Sequence, residues 1–211
     1  MTWRGRGTVL LRIKYLGRVE YTAALSAMRD FCAMRQTDTA DELWFVEHPP
    51  VYTLGQAGRR EHLLRNNGIP LLPSDRGGQI TYHGPGQIVV YMLLDLHRRQ
   101  LGVRDMIQRI EKAIIALLAN YGIESYGDVR APGVYVAGAK IAALGLRVRR
   151  GCSYHGASLN VHMDLSPFAD INPCGFPHLP VTQMSDLGVH EDLRHLQKKL
   201  AQQLKKQFSD S

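Results

Sequence analysis

Ile88-Val-Val-Tyr-Met-Leu-Leu94 is a near-continuous apolar run, and its reading decides the class of fold. Apolar side chains at both odd and even positions predict a β-strand covered on both faces, not one with a wet side. The run is far shorter than the ~20 residues that cross a bilayer, so no membrane span is expected. Upstream, Thr8–Tyr15 and Leu43–Glu47 read as strands. Between them Glu20–Arg35 reads as a helix with Ala24, Leu25, Met28, Phe31 and Cys32 along one stripe. Thr53–Gly58 reads as a glycine-containing loop before a short helical turn. Downstream, Val103–Asn120 carries Met106, Ile107, Ile110, Ile114, Leu117 and Leu118 at helical spacing, and Gly122 is placed to end it. Gly133–Val136, Lys140–Arg149 and Ser153–Val161 follow as strands, then a helix over about 191–208 with one apolar and one basic face. The expected class is α/β of the α+β type: a mixed β-sheet flanked by helices, without strict βαβ alternation. With no repeat or linker-like stretch, residues 1–211 read as a single domain.

A hydrophobic content of 45% and a charged content of 21% exclude a disordered chain. The net charge of +7 attracts anionic partners, nucleic acid, anionic membrane or acidic protein alike. No helix-turn-helix, zinc-finger or aromatic-and-basic strand motif supports nucleic acid, so none is expected as a partner. Cys32, Cys152 and Cys174 are too few and too scattered for a disulfide framework, and Cys32 reads as an inert core thiol. An odd cysteine count and a start without an apolar secretory stretch suit the cytoplasm.

Three segments could carry chemistry. Arg76–Gln87 (RGGQITYHGPGQ) packs four glycines and a proline into twelve residues. Such a backbone can approach a ligand closely, or simply make a tight loop between strands. It matches neither the phosphate-loop nor the dinucleotide pattern, so no nucleotide cofactor is expected. In Lys140–Val148 a count of alternating positions groups Lys140 with Ala142, Leu144, Leu146 and Val148. A lysine there either snorkels to water or sits desolvated, where its pKa would fall. In Asn172-Pro-Cys-Gly-Phe176, Cys174 lies in a turn, more exposed than a core cysteine. At an ordinary pKa near 8.5 about 3% of such a thiol is ionised at neutral pH, and a nearby cation that lowers the pKa by two units raises that to about three-quarters. The Cys152/His155 and Cys174/His178 spacings look zinc-like, but the first pair straddles a strand and His155 would share a face with Ala157, Leu159 and Val161. No metal is expected.

Arg76–Gln87, Gly138–Gly145, Gly151–Val161 and Asp164–Gly175 together resemble the lipoyl(octanoyl) transferases, in order, from about residue 10 to about 187. The resemblance implies the biotin/lipoate protein ligase catalytic-domain fold and an octanoyl-[acyl carrier protein]–protein N-octanoyltransferase activity. It places Cys174 and Lys140 at the positions of a catalytic Cys/Lys dyad. Arg76, Gly77, Gly78, Gln79, Ile80, Thr81, Tyr82, His83, Ala143, Leu144, Gly145, Gly156, Ala157 and Ser158 carry over as substrate-binding residues. Ala143 stands where the family often has Ser, and Gly156-Ala157-Ser158 where Gly-Leu-Ala is familiar; both still supply small groups. The implied partners are octanoyl-acyl carrier protein as donor, with lipoyl domains of 2-oxoacid dehydrogenase complexes and the glycine cleavage H protein as acceptors. No ATP is implied, and weak, transient docking of both partners suits a monomer. An ATP-dependent lipoate–protein ligase and a lipoyl-domain amidotransferase are the alternatives on the same fold.

Overall fold

The computed structural model describes residues 10–173 and 179–208. The apolar run forms β6 (Gln87–Leu93), buried along its whole length. It lies inside a seven-stranded sheet that also holds β1 (Leu11–Arg18), β2 (Asp41–Glu47), β7 (Tyr126–Gly127), β8 (Gly133–Val136), β9 (Ala139–Arg149) and β10 (Cys152–Asn160). The strand order is β1-β2-β6-β10-β9-β8-β7, parallel at β1/β2 and antiparallel elsewhere. A second sheet has the order β4-β3-β5, from β4 (Leu71–Pro73), β3 (Val51–Leu54) and β5 (Ile80–His83). Thr53 and Leu54, expected in a loop, pair with Thr81 and Ile80 instead. The helices are α1 (Tyr21–Met34), α2 (Val103–Ala119) and α3 (Leu193–Phe208).

Alternation along β6 explains why both faces need cover. Ile88, Val90 and Met92 join Leu43, Phe45, Ala157 and Leu159 on one side, under Met106, Ile110 and Ile114 of α2 and Leu196, Leu200 and Leu204 of α3. Val89, Tyr91 and Leu93 join Trp44 and Val46 on the other, under Tyr21, Ala24, Leu25 and Met28 of α1. Gly122 follows α2 with φ +72°, a left-handed turn that costs glycine little. Among the described residues, no helix is long and apolar enough to cross a membrane.

Two cross-links pin this frame. Asp41, wholly buried, accepts hydrogen bonds from Arg35, Arg98 and Arg99 and from the Asp95 N–H, which ties the end of α1 to the start of β2 and the end of β6. Cys32 of α1 is disulfide-bonded to Cys152 of β10, with Cα atoms 5.8 Å apart. Cys32 is therefore not the inert thiol expected. The two cysteines lie 120 residues apart and meet only because α1 crosses the start of β10.

The alternation count along β9 is also corrected. The β8/β9 register pairs Val134 with Ala142 but Tyr135 with Lys140, so Ile141 is an extra residue on β9. Ile141 and Ala142 both enter the core beneath α2, as a bulge allows. Lys140 is thereby transposed to the opposite face, alongside Ala143 and Gly145.

Candidate active site

The face of the large sheet that carries Tyr91 runs out of side chains toward β9. Across the strands, Trp44 opposes Tyr91, Tyr91 opposes Gly156, and Gly156 opposes Gly145. The next row runs Val46, Val89, Ser158, Ala143, Gly133. Large residues thus give way to small or absent ones, and the smaller sheet roofs the space that remains. The result is a cavity of about 510 Å³, counting its open mouth, floored by Val89, Tyr91, Ala143, Gly145, Gly156 and Ser158 and roofed by Ile80, Thr81 and His83. Gly78, Gln79, Leu144 and Ala157 also line it.

Arg76 shapes the roof. Buried beneath its own loop, its guanidinium donates to the carbonyls of Thr53 (2.7 Å), Gly77 (3.0 Å) and Gln79 (2.8 Å). A planar fork of donors suits several carbonyls at fixed angles, which an ammonium cannot match. Gly78 has φ +87°, and the Gly77 N–H is donated to Leu146 O at 2.9 Å, so the loop closes down on β9. Gly77 faces a neighbouring cleft and not this cavity. Tyr82 turns away altogether, into a cluster with Tyr52 and Phe168, where burial pushes its hydroxyl up to about 12.

Four residues that sequence reasoning missed also line the cavity: Tyr21, Val89, Tyr91 and His155. The polar atoms of the two tyrosines and the histidine are engaged with neighbours. Tyr91 donates to His48 Nε2 at 2.6 Å, and His48 Nδ1–H donates to Val19 O at 2.6 Å. Tyr21 donates to Ser74 Oγ at 2.6 Å. His155 has φ +60°, and its Nε2–H donates to Asp75 Oδ1 at 2.8 Å; it leaves the face of Ala157 and Leu159 that alternation predicts. Burial drives His83 down to about 3 and His155 to about 4, so both rings are neutral at physiological pH. Burial alone would raise the Asp75 carboxyl, but hydrogen bonds from His155, Tyr154 and Arg29 hold it at about 2. With these groups hydrogen-bonded to neighbours, the walls offer mostly ring faces and aliphatic surface, the buried Gln79 Oε1 being left without a partner among the described residues: a site for a slender apolar chain. A tyrosine inside a fully buried strand needs a hydroxyl partner, and that was the sequence signal for Tyr91.

Lys140 stands at one end. It is only 3% exposed, and its Nζ donates to Pro132 O at 3.4 Å beside the Tyr135 ring. The small cavity it lines shares Thr81, Ala143 and Ser158 with the large one, so the two adjoin. Pro173 lines the same small cavity. Cys174, the next residue, and His178 lie outside the described residues. The zinc-like pairing of Cys152 with His155 is taken apart by the fold, one bonded to Cys32 and the other to Asp75.

The description of the lipoyl protein ligase A/B catalytic domain matches residues 20–208. The chain belongs to this family. Within it, an octanoyltransferase of Laribacter hongkongensis is 60% identical over 190 residues, covering 90% of this chain and 92% of its own. An octanoyltransferase of Dechloromonas aromatica is 59% identical over 196 residues, covering 91% and 96%. Among solved structures, a lipoate-protein ligase A bound with ATP superposes with a TM-score of 0.78 at 17% identity, covering 94% of this chain and 85% of that one. A biotin protein ligase from Aquifex aeolicus in complex with biotin and ATP gives 0.59 at 12%, covering 93% and 69%. At those identities the likeness is one of fold, and the fold is the biotin/lipoate ligase catalytic fold expected from the sequence.

Proposed function

We propose that the chain is an acyltransferase of protein lipoylation, moving an octanoyl group from octanoyl-acyl carrier protein to a lysine of a lipoyl domain through a thioester on Cys174. The observation that carries this reading is the apolar cavity that adjoins, at one end, the buried amine of Lys140 and the residue preceding Cys174. An alkyl chain fills the cavity and its thioester carbonyl lies at the lysine end.

The Cys174 thiolate attacks the carbonyl, and the C–S bond to the carrier thiol breaks. The leaving thiolate takes a proton from the Lys140 ammonium. In the second half the acceptor amine attacks the acyl-enzyme, Lys140 takes up the amine proton, and the Cys174 thiolate departs. Thioester to thioester is nearly level and thioester to amide is downhill, so no ATP enters the balance. Acidic carrier proteins and acidic lipoyl domains, including those of 2-oxoacid dehydrogenase complexes and the glycine cleavage H protein, dock in turn on a chain of net charge +7. The enzyme works as a monomeric, single-domain protein in the cytoplasm.

The test is intact mass after mixing with octanoyl-acyl carrier protein in the absence of ATP. One octanoyl group on Cys174, released by hydroxylamine and absent in Cys174→Ser, is the expected result. No adduct, together with ATP-dependent modification of a lipoyl domain by free octanoate, would establish a ligase instead. Transfer from an octanoylated lipoyl protein but not from the carrier protein would establish an amidotransferase.

A further inference from the structure

One carboxylate sits among the apolar residues of α2. The buried positions of that helix are Met106, Ile110, Ala113, Ile114, Leu117, Leu118 and Glu111. Glu111 is 7% exposed. A carboxylate so placed is costly unless hydrogen bonds and an opposite charge offset its desolvation. The hydrogen bond comes from β8: Glu111 Oε1 accepts the Gly133 N–H at 3.0 Å.

The same glycine carries the lysine. A Cβ on Gly133 would stand 2.9 Å from Lys140 Cε and 3.2 Å from Nζ. On β7, a Cβ on Gly127 would stand 2.8 Å from Glu111 Oε2. Both strands lack a side chain where these two head groups lie. Carboxylate and amine are joined through the N–Cα–Cβ geometry of one residue, no more than about 9 Å apart. Burial pushes the Glu111 carboxyl up, and the Gly133 N–H and the Lys140 charge pull it back.

Other groups face Lys140 as well. From β8 come the Tyr135 ring, 5.1 Å from Nζ, and Pro132 O. Thr81, Ser158 and Asn160 share its cavity. Asp128, ahead of β8, carries charge too, but it is paired with Arg130 at 3.1 Å, and Lys140 is the least of the influences on it. Among the described residues named here, Glu111 is the buried acid.

We propose that Glu111 is a positioning residue for Lys140: its carboxylate, docked on the Gly133 amide, keeps the lysine protonated and fixed at the end of the acyl cavity. The proposal rests on the reading of Lys140 as the proton carrier of a Cys/Lys dyad. It gives α2 a part in the chemistry, since the ammonium that Glu111 sustains is the acid that the departing carrier thiolate requires.

Glu111→Gln tests it, because a glutamine keeps the acceptor for the Gly133 N–H and removes only the charge. In 13C-lysine-labelled protein the Lys140 Cε resonance, assigned with Lys140→Arg, is titrated against pH. Two unit charges at this separation predict that the midpoint in Glu111→Gln falls by about one pH unit. Asp128→Asn shifts it by about a third of that or less, its charge being exposed and already paired. The alkaline limb of the kcat/KM profile for octanoyl transfer moves down with the Glu111→Gln midpoint. An unmoved midpoint in folded Glu111→Gln, or an equal shift in Asp128→Asn, overturns the proposal and leaves Glu111 a support for β8 alone. The titration reads Lys140 whether or not the enzyme turns over, whereas activity persisting in Cys174→Ser overturns the dyad reading itself.

Discussion

Acid should unfold this protein well above the pH at which carboxylates titrate. His83 and His155 are held neutral at about 3 and about 4, against an ordinary histidine value of 6.5. The folded pKa is depressed, so below pH 6.5 the unfolded chain takes up protons that the folded chain refuses. Stability is then lost as pH falls from 6.5 toward 4, at about 1.4 kcal/mol per pH unit for each ring. The pair costs roughly 4 kcal/mol by pH 5, a large share of the 5–15 kcal/mol that holds a domain together. His48, also pushed down by burial, adds to the same slope. Asp75 contributes nothing in this window: its carboxyl is held at about 2, so its stabilisation is intact above 3.8 and fades only below that. Urea titrations at pH 7, 6 and 5 should show the unfolding free energy falling by about 2.7 kcal/mol per unit between pH 6 and pH 5. His83→Asn should reduce the slope by about 1.4 kcal/mol per unit. A slope below 1 kcal/mol per unit in the parent protein would show that the two rings are already charged in the folded state, and the account of a neutral, satisfied cavity wall would fail.

Three further outcomes follow from the geometry. A methyl at Gly145 would stand 3.0 Å from Gly77 O and 3.2 Å from Arg76 Cδ, inside the floor of the cavity. Gly145→Ala should therefore cost about one buried methylene, near 0.8 kcal/mol, seen as a roughly fourfold fall in kcat/KM for octanoyl relative to hexanoyl donors. Asp41→Asn leaves the buried Arg99 without its counter-charge and Arg35 with only Asp95, 3.9 Å away. Thermal melts should show a loss of about 3–5 kcal/mol, on the order of 10 °C. Arg76→Lys removes the fork that gathers the carbonyls of Thr53, Gly77 and Gln79. Limited proteolysis should then cut at residues 76–79 while KM for the octanoyl donor rises, and unchanged proteolysis would show that the loop holds without Arg76.

Patterns of burial were legible in the chain, and breaks in pattern were not. β6 and α2 stand out because every residue of one after Gln87, and every third or fourth of the other, is apolar, and the main core is built around those residues. The alternation count misplaced Lys140 because it presumes an unbroken register, and the extra residue at Ile141 reverses every face beyond it. His155 escaped its expected face through one left-handed φ, which leaves no trace in composition. Cys32 and Cys152 are neighbours only in space. Twelve of the fourteen residues that the segment resemblance carried over line the cavity, reached less by chemistry than by position: Tyr82 carried over with its neighbours yet faces the other way, and Tyr91, which no motif includes, forms part of the floor.

The cavity is made by omission, and that bears on where its specificity lies. Across one register row the sheet runs from Trp44 and Tyr91 to Gly156 and Gly145, so at the glycine end its depth is set by backbone and not by a flexible side chain. A Cβ on Gly156 would run into the Val90 carbonyl, which is strand backbone that cannot yield without disturbing β6. Close-packed interiors tolerate such changes poorly. At the glycine end, chain-length preference should therefore be harder to widen than to narrow, because narrowing needs one added methyl at Gly145 and widening there needs a strand to move. Reactivity is separable from this. Lys140 reaches the cavity's edge through a bulge and rests on Gly133, while Glu111 rests on the far side of the same glycine. Substitutions on the β6 side should alter which acyl chain is accepted, and substitutions around Gly133 should alter how fast any chain is transferred.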